Sequence, residues 1–148
     1  MTYDASVERV LNATVDEVFD AYSSVAARRV WMARGEDGLY PYLDISGDPV
    51  PGGAWSTAWG ASEDQVSHEF GVYEIVDRPH RIVTPATFRA PDGRTMRSEL
   101  ELTFEDQAGR TRLVIRQRGI PTEQVRDFVT AVAWPGVLDN LEWYLTDR

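Results

Sequence analysis

The chain has no cysteine and no lysine, and only two of its 148 residues are histidines. Without cysteine there are no disulfides, thiolate metal sites or thiol nucleophiles. Without lysine there is no Schiff-base chemistry, and all 15 basic residues are arginines. His80 stands beside a predicted turn, far along a hairpin from His68, so the two do not share a metal ion. We therefore predict neither a metal nor a cofactor.

Positive charge and long apolar runs are also scarce. The 24 acidic residues outnumber the arginines and give a formal net charge of −9. A surface of this sign repels phosphate and anionic lipid heads, so we expect no nucleic-acid or membrane partner. No segment approaches the roughly 20 apolar residues of a spanning helix. The opening MTYDASVERV lacks the features of a signal peptide, and we expect a cytoplasmic protein.

The chain is long enough to bury a core, and we expect one domain over residues 1–148. A strand is predicted for Ser6–Asn12. Thr14 and Glu17 have the spacing of a capping box, which opens a short helix, and a second short helix is predicted at about Ser24–Met32. The strands that follow include His68–Val76 as one continuous strand. Two further strands alternate in hydropathy, with Met96, Ser98, Leu100, Leu102 and Phe104 inward on the first and Thr111, Leu113, Ile115 and Gln117 inward on the second.

The outward residues of these two strands are mainly acids on one and arginines on the other, which predicts cross-strand ion pairs. A single long helix is predicted from Pro121 to Thr146. Pro135 lies inside it and removes one backbone donor, so we expect a kink near residues 131–135 and a space beneath the helix. The predicted apolar stripe of this helix consists of Val125, Phe128, Val129, Val132, Leu138, Leu141 and Leu145.

Four stretches resemble a known family: VERVLNATVDEVFDAY, DPVPGGAW, HEFGVYEIVDRPHRIV, and GRTRLVIRQRGIP followed by WPGVLDNLEWYL. Their order and spacing resemble the START-like (SRPBCC) superfamily, in the branch named after the activator of the heat-shock protein 90 ATPase. Ala133 departs from the pattern, because relatives often have glycine before the tryptophan. The resemblance implies an α+β helix-grip fold, in which a curved antiparallel sheet of six to seven strands wraps around a long C-terminal helix, with two short helices after the first strand. Members bind apolar ligands, catalyse cyclisation or hydrolysis, or assist chaperones, so the fold does not name an activity.

A ligand cavity between the sheet and the C-terminal helix is predicted from the aromatic residues and the few polar groups among them. Its predicted lining is Trp31, Trp55, Thr57, Trp59, His68, Phe70, Tyr73, Phe88, Met96, Ser98, Phe128 and Trp134. The alternative is that these rings only fill the core.

Orientation decides what several of these residues can do. Trp55 and Trp59 share one strand face; we expect it to point inward, and an outward face would instead suggest a homodimer. His68 and Phe70 are two residues apart on one predicted strand and so share a face. His68 is predicted to reach the pocket mouth, although a structural role is favoured for it. Glu69 must then point to the opposite face. A bulge is expected to turn Glu74 outward. Ser98 is read as a polar lining group rather than a nucleophile.

Three functions remain open at this point. The leading hypothesis is a non-enzymatic binder of a small hydrophobic or aromatic molecule. The second is a cyclase, dehydratase or hydrolase acting on such a molecule, with His68, Glu74 or Tyr73 as acid or base. The third is an interaction module for a chaperone or another partner. An enzyme would require at least two titratable groups that converge in the pocket within hydrogen-bond reach.

Overall fold

The computed structural model describes residues 1–35 and 38–146. Its elements in chain order are β1 (Tyr3–Leu11), α1 (Val15–Ser23), α2 (Val25–Trp31), β2 (Arg34–Gly35), β3 (Gly38–Leu39), β4 (Tyr42–Gly47), β5 (Ala54–Gly60), β6 (Val66–Val72), β7 (Ile75–Asp77), β8 (Arg81–Arg89), β9 (Thr95–Gln107), β10 (Arg110–Ile120), α3 (Glu123–Phe128), a π-helical turn (Val129–Ala133) and α4 (Trp134–Thr146).

The strands form one large antiparallel sheet in the order β1-β10-β9-β8-β6-β5-β4, and the short strand β7 also pairs with β8. Strands β2 and β3 form a separate small hairpin. With two short helices after β1 and a long helix at the C-terminal end, the predicted α+β helix-grip fold is confirmed. Of the helices described, none has the length and apolar character that crossing a membrane requires.

The two short helices begin where their capping residues predict. The Thr14 hydroxyl accepts a hydrogen bond from the Glu17 N–H, and the Glu17 carboxylate accepts one from the Thr14 N–H, which is the reciprocal capping box. Ser24 ends α1 and caps α2 by accepting from the Ala27 N–H. Because one residue serves both helices, α2 starts directly after α1 and lies across the sheet near β4.

The C-terminal helix is interrupted close to the predicted kink. Its first α-helical segment ends at Phe128, and the π-helical turn Val129–Ala133 follows before α4. Pro135 lacks the N–H that would donate to residue 131, and a wider turn just before it accommodates the missing bond. The interruption changes which side chains face the sheet: Phe128 and Val132 are each 57% exposed, so their placement in the apolar stripe was wrong.

One face of the sheet, called the inner face here, carries the core. Leu138, Leu141 and Leu145 of α4 are buried against it. The same core includes the fully buried rings of Phe19, Phe104 and Trp31. The space expected beneath the C-terminal helix is therefore occupied by side chains along α4.

The predicted strand His68–Val76 is two strands. β6 ends at Val72 and β7 begins at Ile75. Between them the Tyr73 N–H donates to the Gly53 carbonyl and the Glu74 N–H donates to the Val83 carbonyl, so the backbone changes partners at this point. Glu74 is exposed, as expected, through this interruption rather than through a single-residue bulge.

The outer face of the sheet carries the cross-strand ion pairs predicted for β9 and β10. The Glu101 carboxylate accepts from Arg81 Nε at 2.8 Å and from an Arg118 terminal nitrogen at 2.9 Å. Arg112 pairs with Glu105 on β9 and with Glu8 on β1. These pairs connect four neighbouring strands, β1, β10, β9 and β8, in the observed register.

Candidate ligand site on the inner face

A small cavity of about 40 Å³ lies on the inner face, and we call it the recess. Its polar lining consists of Tyr22, Arg28, Thr57, Glu69, Tyr73 and Thr84. Its apolar lining consists of Met32, Trp55, Ile82, Leu100 and Leu102. These residues belong to the sheet, to α1 and to the region of α2, and none of them to the C-terminal helix. A cavity of this size holds a few water molecules or one ligand functional group.

Arg28 is the charged centre of the recess. It is only 3% exposed, and its position on α2 directs it at β5, where a terminal nitrogen donates to Thr57 Oγ1 at 3.2 Å. The Nε–H of Arg28 is buried and has no hydrogen-bond partner, the only such side-chain atom among the described residues. A buried donor without a partner is unfavourable, and more so on a charged group. This donor is therefore ready to bond to an oxygen atom of another molecule.

Glu69 faces Arg28 from β6. Burial raises the pKa of its carboxyl group to about 7, and the positive charge of Arg28 opposes part of that rise. Within the described part of the chain, no hydrogen bond or salt bridge to the Glu69 carboxyl group is found. A carboxyl group of this kind changes protonation near neutral pH, so it can either donate or accept a hydrogen bond there.

Two tyrosines complete the polar lining. Burial raises the pKa of both Tyr22 and Tyr73, so each hydroxyl stays protonated at neutral pH. Arg28 opposes both shifts through its charge and also hydrogen-bonds Tyr73. The recess thus combines one fixed cation, one carboxyl group and two phenol groups, beside the hydroxyl groups of Thr57 and Thr84. Such a set can recognise an anionic or carbonyl oxygen.

The floor of the recess depends on the close approach of two strands. Trp55 Nε1 donates to Thr84 Oγ1 at 2.7 Å, and that hydroxyl donates to the Pro85 carbonyl at 2.8 Å. Gly71 lies directly against this pair. A Cβ atom there would come within 2.2 Å of the Pro85 carbonyl oxygen and 3.0 Å of Trp55 Nε1. Only glycine allows β6 to pass this close to both groups.

Two aromatic side chains lie beside the recess on the same face, and we call them the aromatic patch: Trp59 and Phe88. Their ring centroids are 6.2 Å apart, and both residues are half-buried. Trp59 is two residues from Thr57 on β5, and Phe88 is the cross-strand partner of Glu69. Side chains two residues apart on one strand, or directly opposite each other on neighbouring strands, lie roughly 5–7 Å apart on one face of the sheet. The site therefore has an apolar part and an adjoining polar part.

The family model for "Activator of Hsp90 ATPase homolog 1-like protein" matches residues 12–146. The chain belongs to this family. No curated protein sequence matches it. An uncharacterized protein from Rhizobium leguminosarum has a similar structure, with a TM-score of 0.84 at 23% identity over 100% of this chain and 97% of that one. The protein Mll3558 from Rhizobium loti gives a TM-score of 0.79 at 18% identity over 97% of each chain.

A third similar structure is DynU16, described as a protein in the dynemicin biosynthetic locus. Its TM-score is 0.70 at 16% identity, over 97% of this chain and 47% of that one. At these identities the three structures establish the fold alone. The family match and the fold together confirm the resemblance stated from the sequence, and this fold is compatible with small-molecule binding.

In this member of the Hsp90 ATPase activator homolog family, the sequence-predicted lining residues are divided among several places. Trp55, Thr57 and Tyr73 line the recess. Trp59 and Phe88 form the aromatic patch beside it. Met96 is the cross-strand partner of Phe88 and packs against a second buried cluster that contains Ile120 and Val129.

His68 and Phe70 face away from the site, so their predicted inward orientation was wrong. In the register of β5 with β6, they pair with Ala58 and Ser56, whereas Glu69 pairs with the recess residue Thr57. His68 Nε2 is 2.7 Å from Ser56 Oγ, and its pKa is lowered by burial and by the positive charge of Arg89. His68 therefore contacts Ser56 on the face of the sheet opposite to the recess.

The remaining predicted residues also serve packing. Trp31 is fully buried, and its Nε1 donates to the Ala21 carbonyl at 2.9 Å. Trp134 Nε1 donates to Gln117 Oε1, and Gln117 Nε2 donates to Ser98 Oγ, which fixes the start of α4 on the sheet. Phe128 is exposed at the end of α3. Trp31, Ser98, Phe128 and Trp134 therefore lie outside the lining of the recess.

Sequence reasoning missed Arg28 and Glu69, the two charged groups of the recess. Arg28 lies in the run Ala26-Ala27-Arg28-Arg29, where two adjacent arginines on a short helix must differ in burial. Ala27 and Trp31 of this helix are buried, and Arg28 between them lies on the same side. Glu69 could have been found from the pairing of β5 with β6. Trp55 and Thr57 were expected to point inward, and the residue of β6 that pairs with Thr57 lies on the same face of the sheet.

Proposed function

We propose that the protein binds a small molecule with an aromatic or hydrophobic body on the inner face of its sheet, with the body on the aromatic patch and a polar end in the recess. The observation that carries this proposal is the unpartnered Arg28 donor beside two half-buried aromatic rings on one face. Ligand sites commonly pair apolar walls with a few oriented polar groups. The biosynthetic locus of DynU16 is in keeping with a small-molecule role for this fold.

The size of the recess limits how a ligand can lie. About 40 Å³ accommodates a functional group but not an aromatic ring system, so the body of the ligand must lie outside the recess. Trp59 neighbours Thr57 and Phe88 neighbours Glu69 on the inner face, and both rings keep accessible surface. The proposed site therefore differs from the enclosed cavity beneath the C-terminal helix that the sequence predicts.

A neutral aromatic probe tests this proposal. We expect 2-naphthalenemethanol to shift the Trp59 indole N–H resonance saturably in a nitrogen-15 NMR titration, while the indole of the core residue Trp31 stays in place. Replacement of Trp59 by alanine should weaken binding roughly tenfold, because one ring of the patch is lost. The matched control is Trp143→Ala, since Trp143 packs under the Arg34 guanidinium instead. Absence of saturable binding, or equal weakening in both variants, would refute the proposal.

A further inference from the structure

The recess contains a buried cation whose hydrogen bonds are incomplete. Arg28 is 3% exposed, donates to Thr57 and Tyr73, and leaves its Nε–H unpaired. None of the salt bridges among the described residues includes Arg28. Glu101 is also almost inaccessible to solvent, but two arginines pair with it. A buried charge usually requires a paired opposite charge, and Arg28 has room for one beside it.

Glu69 does not supply that opposite charge through a direct contact. Its carboxyl group lines the same cavity but forms no salt bridge with Arg28 within the usual contact distance in the described structure. The space between the lining groups is about 40 Å³, which is enough for a few water molecules or for one small functional group such as a carboxylate. A guest oxygen atom in this space would be close to both side chains.

We propose that the ligand is an aromatic or alicyclic carboxylic acid, whose carboxylate enters the recess, accepts hydrogen bonds from Arg28 and is bridged to a protonated Glu69. This inference rests on the proposed function, because it places the apolar body of the same ligand on the aromatic patch. The guanidinium donors match a carboxylate better than they match a neutral hydroxyl group, and a charge-assisted bond is about twice as strong as a neutral one. The Glu69 proton supplies a further donor to the guest.

Protonation of Glu69 makes the charges balance. With Glu69 neutral, the recess holds one cation and one ligand anion. With Glu69 ionised, it would hold two carboxylates against one cation, which is unfavourable inside the protein. The titratable and charged groups that line the recess with Glu69 are Tyr22 from α1, Arg28 from α2 and Tyr73 after β6, and both tyrosine hydroxyls remain neutral. At and above neutral pH, where Glu69 is partly or fully ionised in the free protein, binding of the acid should therefore be accompanied by uptake of a proton by Glu69.

The experiment compares 2-naphthoate with 2-naphthalenemethanol, which share a ring system and differ in the acidic group, by isothermal titration calorimetry at pH 6 and pH 8. At pH 6 we expect the acid to bind at least about tenfold more tightly than the alcohol. Arg28→Met should weaken binding of the acid much more than binding of the alcohol, and so remove this preference. The control Arg97→Met, at an exposed position on β9, should keep the preference.

A pH comparison on the unaltered protein tests the same inference without relying on the folding of a variant. Affinity for 2-naphthoate should fall several-fold from pH 6 to pH 8, while affinity for the alcohol stays constant. Glu69→Gln should flatten this dependence, and the control His68→Asn, on the opposite face, should not.

Equal binding of acid and alcohol, or a pH profile unaffected by Glu69→Gln, would overturn the carboxylic-acid inference and leave the proposed function standing. Failure of both probes to bind would remove the proposed function as well.

Discussion

At the scale of single residues, the place of Glu69 in the site depends on which face of β6 its side chain occupies. The sequence pattern around His68 is apolar on both faces, so periodicity alone does not decide which face is inward. The register with β5 decides it, because Thr57 and Trp55 are fixed inward and Glu69 is opposite Thr57. A shift of one residue exchanges the two faces, and the histidine was accordingly placed in the site and the glutamate outside it.

Glu69 also predicts a pH dependence of stability. Burial raises its pKa in the folded protein to about 7, above the ordinary value for glutamate, so the folded state binds this proton more tightly than the unfolded state. Stability should therefore decrease as pH rises from about 4.5 to 7. Glu69→Gln should raise the free energy of unfolding at pH 8 by about 1–3 kcal/mol and change it little at pH 4.

Urea unfolding of both proteins at the two pH values measures this effect. The exposed residue Glu74 provides a matched control, because Glu74→Gln should leave the difference between the two pH values unchanged. A Glu69→Gln protein that is equally or less stable than the parent at pH 8 would show that the Glu69 carboxyl group is not destabilised by burial.

At the scale of elements, local signals in the sequence located the short helices and long strands well. Thr14, Glu17 and Ser24 form caps through side-chain hydrogen bonds to backbone groups a few residues away, and such contacts depend on spacing alone. The alternation on β9 and β10 likewise identified the buried residues Leu100, Leu102, Leu113 and Ile115. The interruption at Tyr73–Glu74 was harder to predict, because it depends on backbone partners far along the chain, at Gly53 just before β5 and at Val83 on β8.

The ion pairs of the outer face give a prediction at this scale. Hydrogen bonds from Arg81 and Arg118 hold the pKa of Glu101 below its usual range, so the carboxylate stabilises the folded state at neutral pH. Glu101→Gln should lower the free energy of unfolding by about 1 kcal/mol at pH 7. This loss should diminish as pH falls below about 4, where the carboxylate of the parent protein becomes protonated.

Glu99→Gln is the control for Glu101→Gln. The Glu99 side chain is 46% exposed and lies 3.6 Å from Arg118, a longer contact than those of Glu101, so its replacement should have a smaller effect. Chemical unfolding at pH 7 and pH 3 compares the two variants. A Glu101→Gln loss of the same size at both pH values would mean that ionic hydrogen bonds are not its origin.

At the scale of the whole molecule, the fold was predictable and the position of the site was not. The order of elements and the family motifs extend over nearly the whole chain, and they determine the sheet and its helices. The position of free space depends instead on how side chains from distant elements meet. Leu138, Leu141 and Leu145 fill the region beneath α4, while the recess forms where the α2 residue Arg28 meets Thr57 of β5.

The central claim is that an aromatic molecule lies on Trp59 and Phe88 with its polar end at Arg28. Intermolecular nuclear Overhauser effects between bound 2-naphthoate and the isotope-labelled protein test it most directly. We expect contacts from the naphthalene protons to the rings of Trp59 and Phe88, and contacts to Thr57 from the protons nearest the carboxylate. Contacts confined to Phe128 and Val132 on the exposed side of the C-terminal helix would contradict the claim.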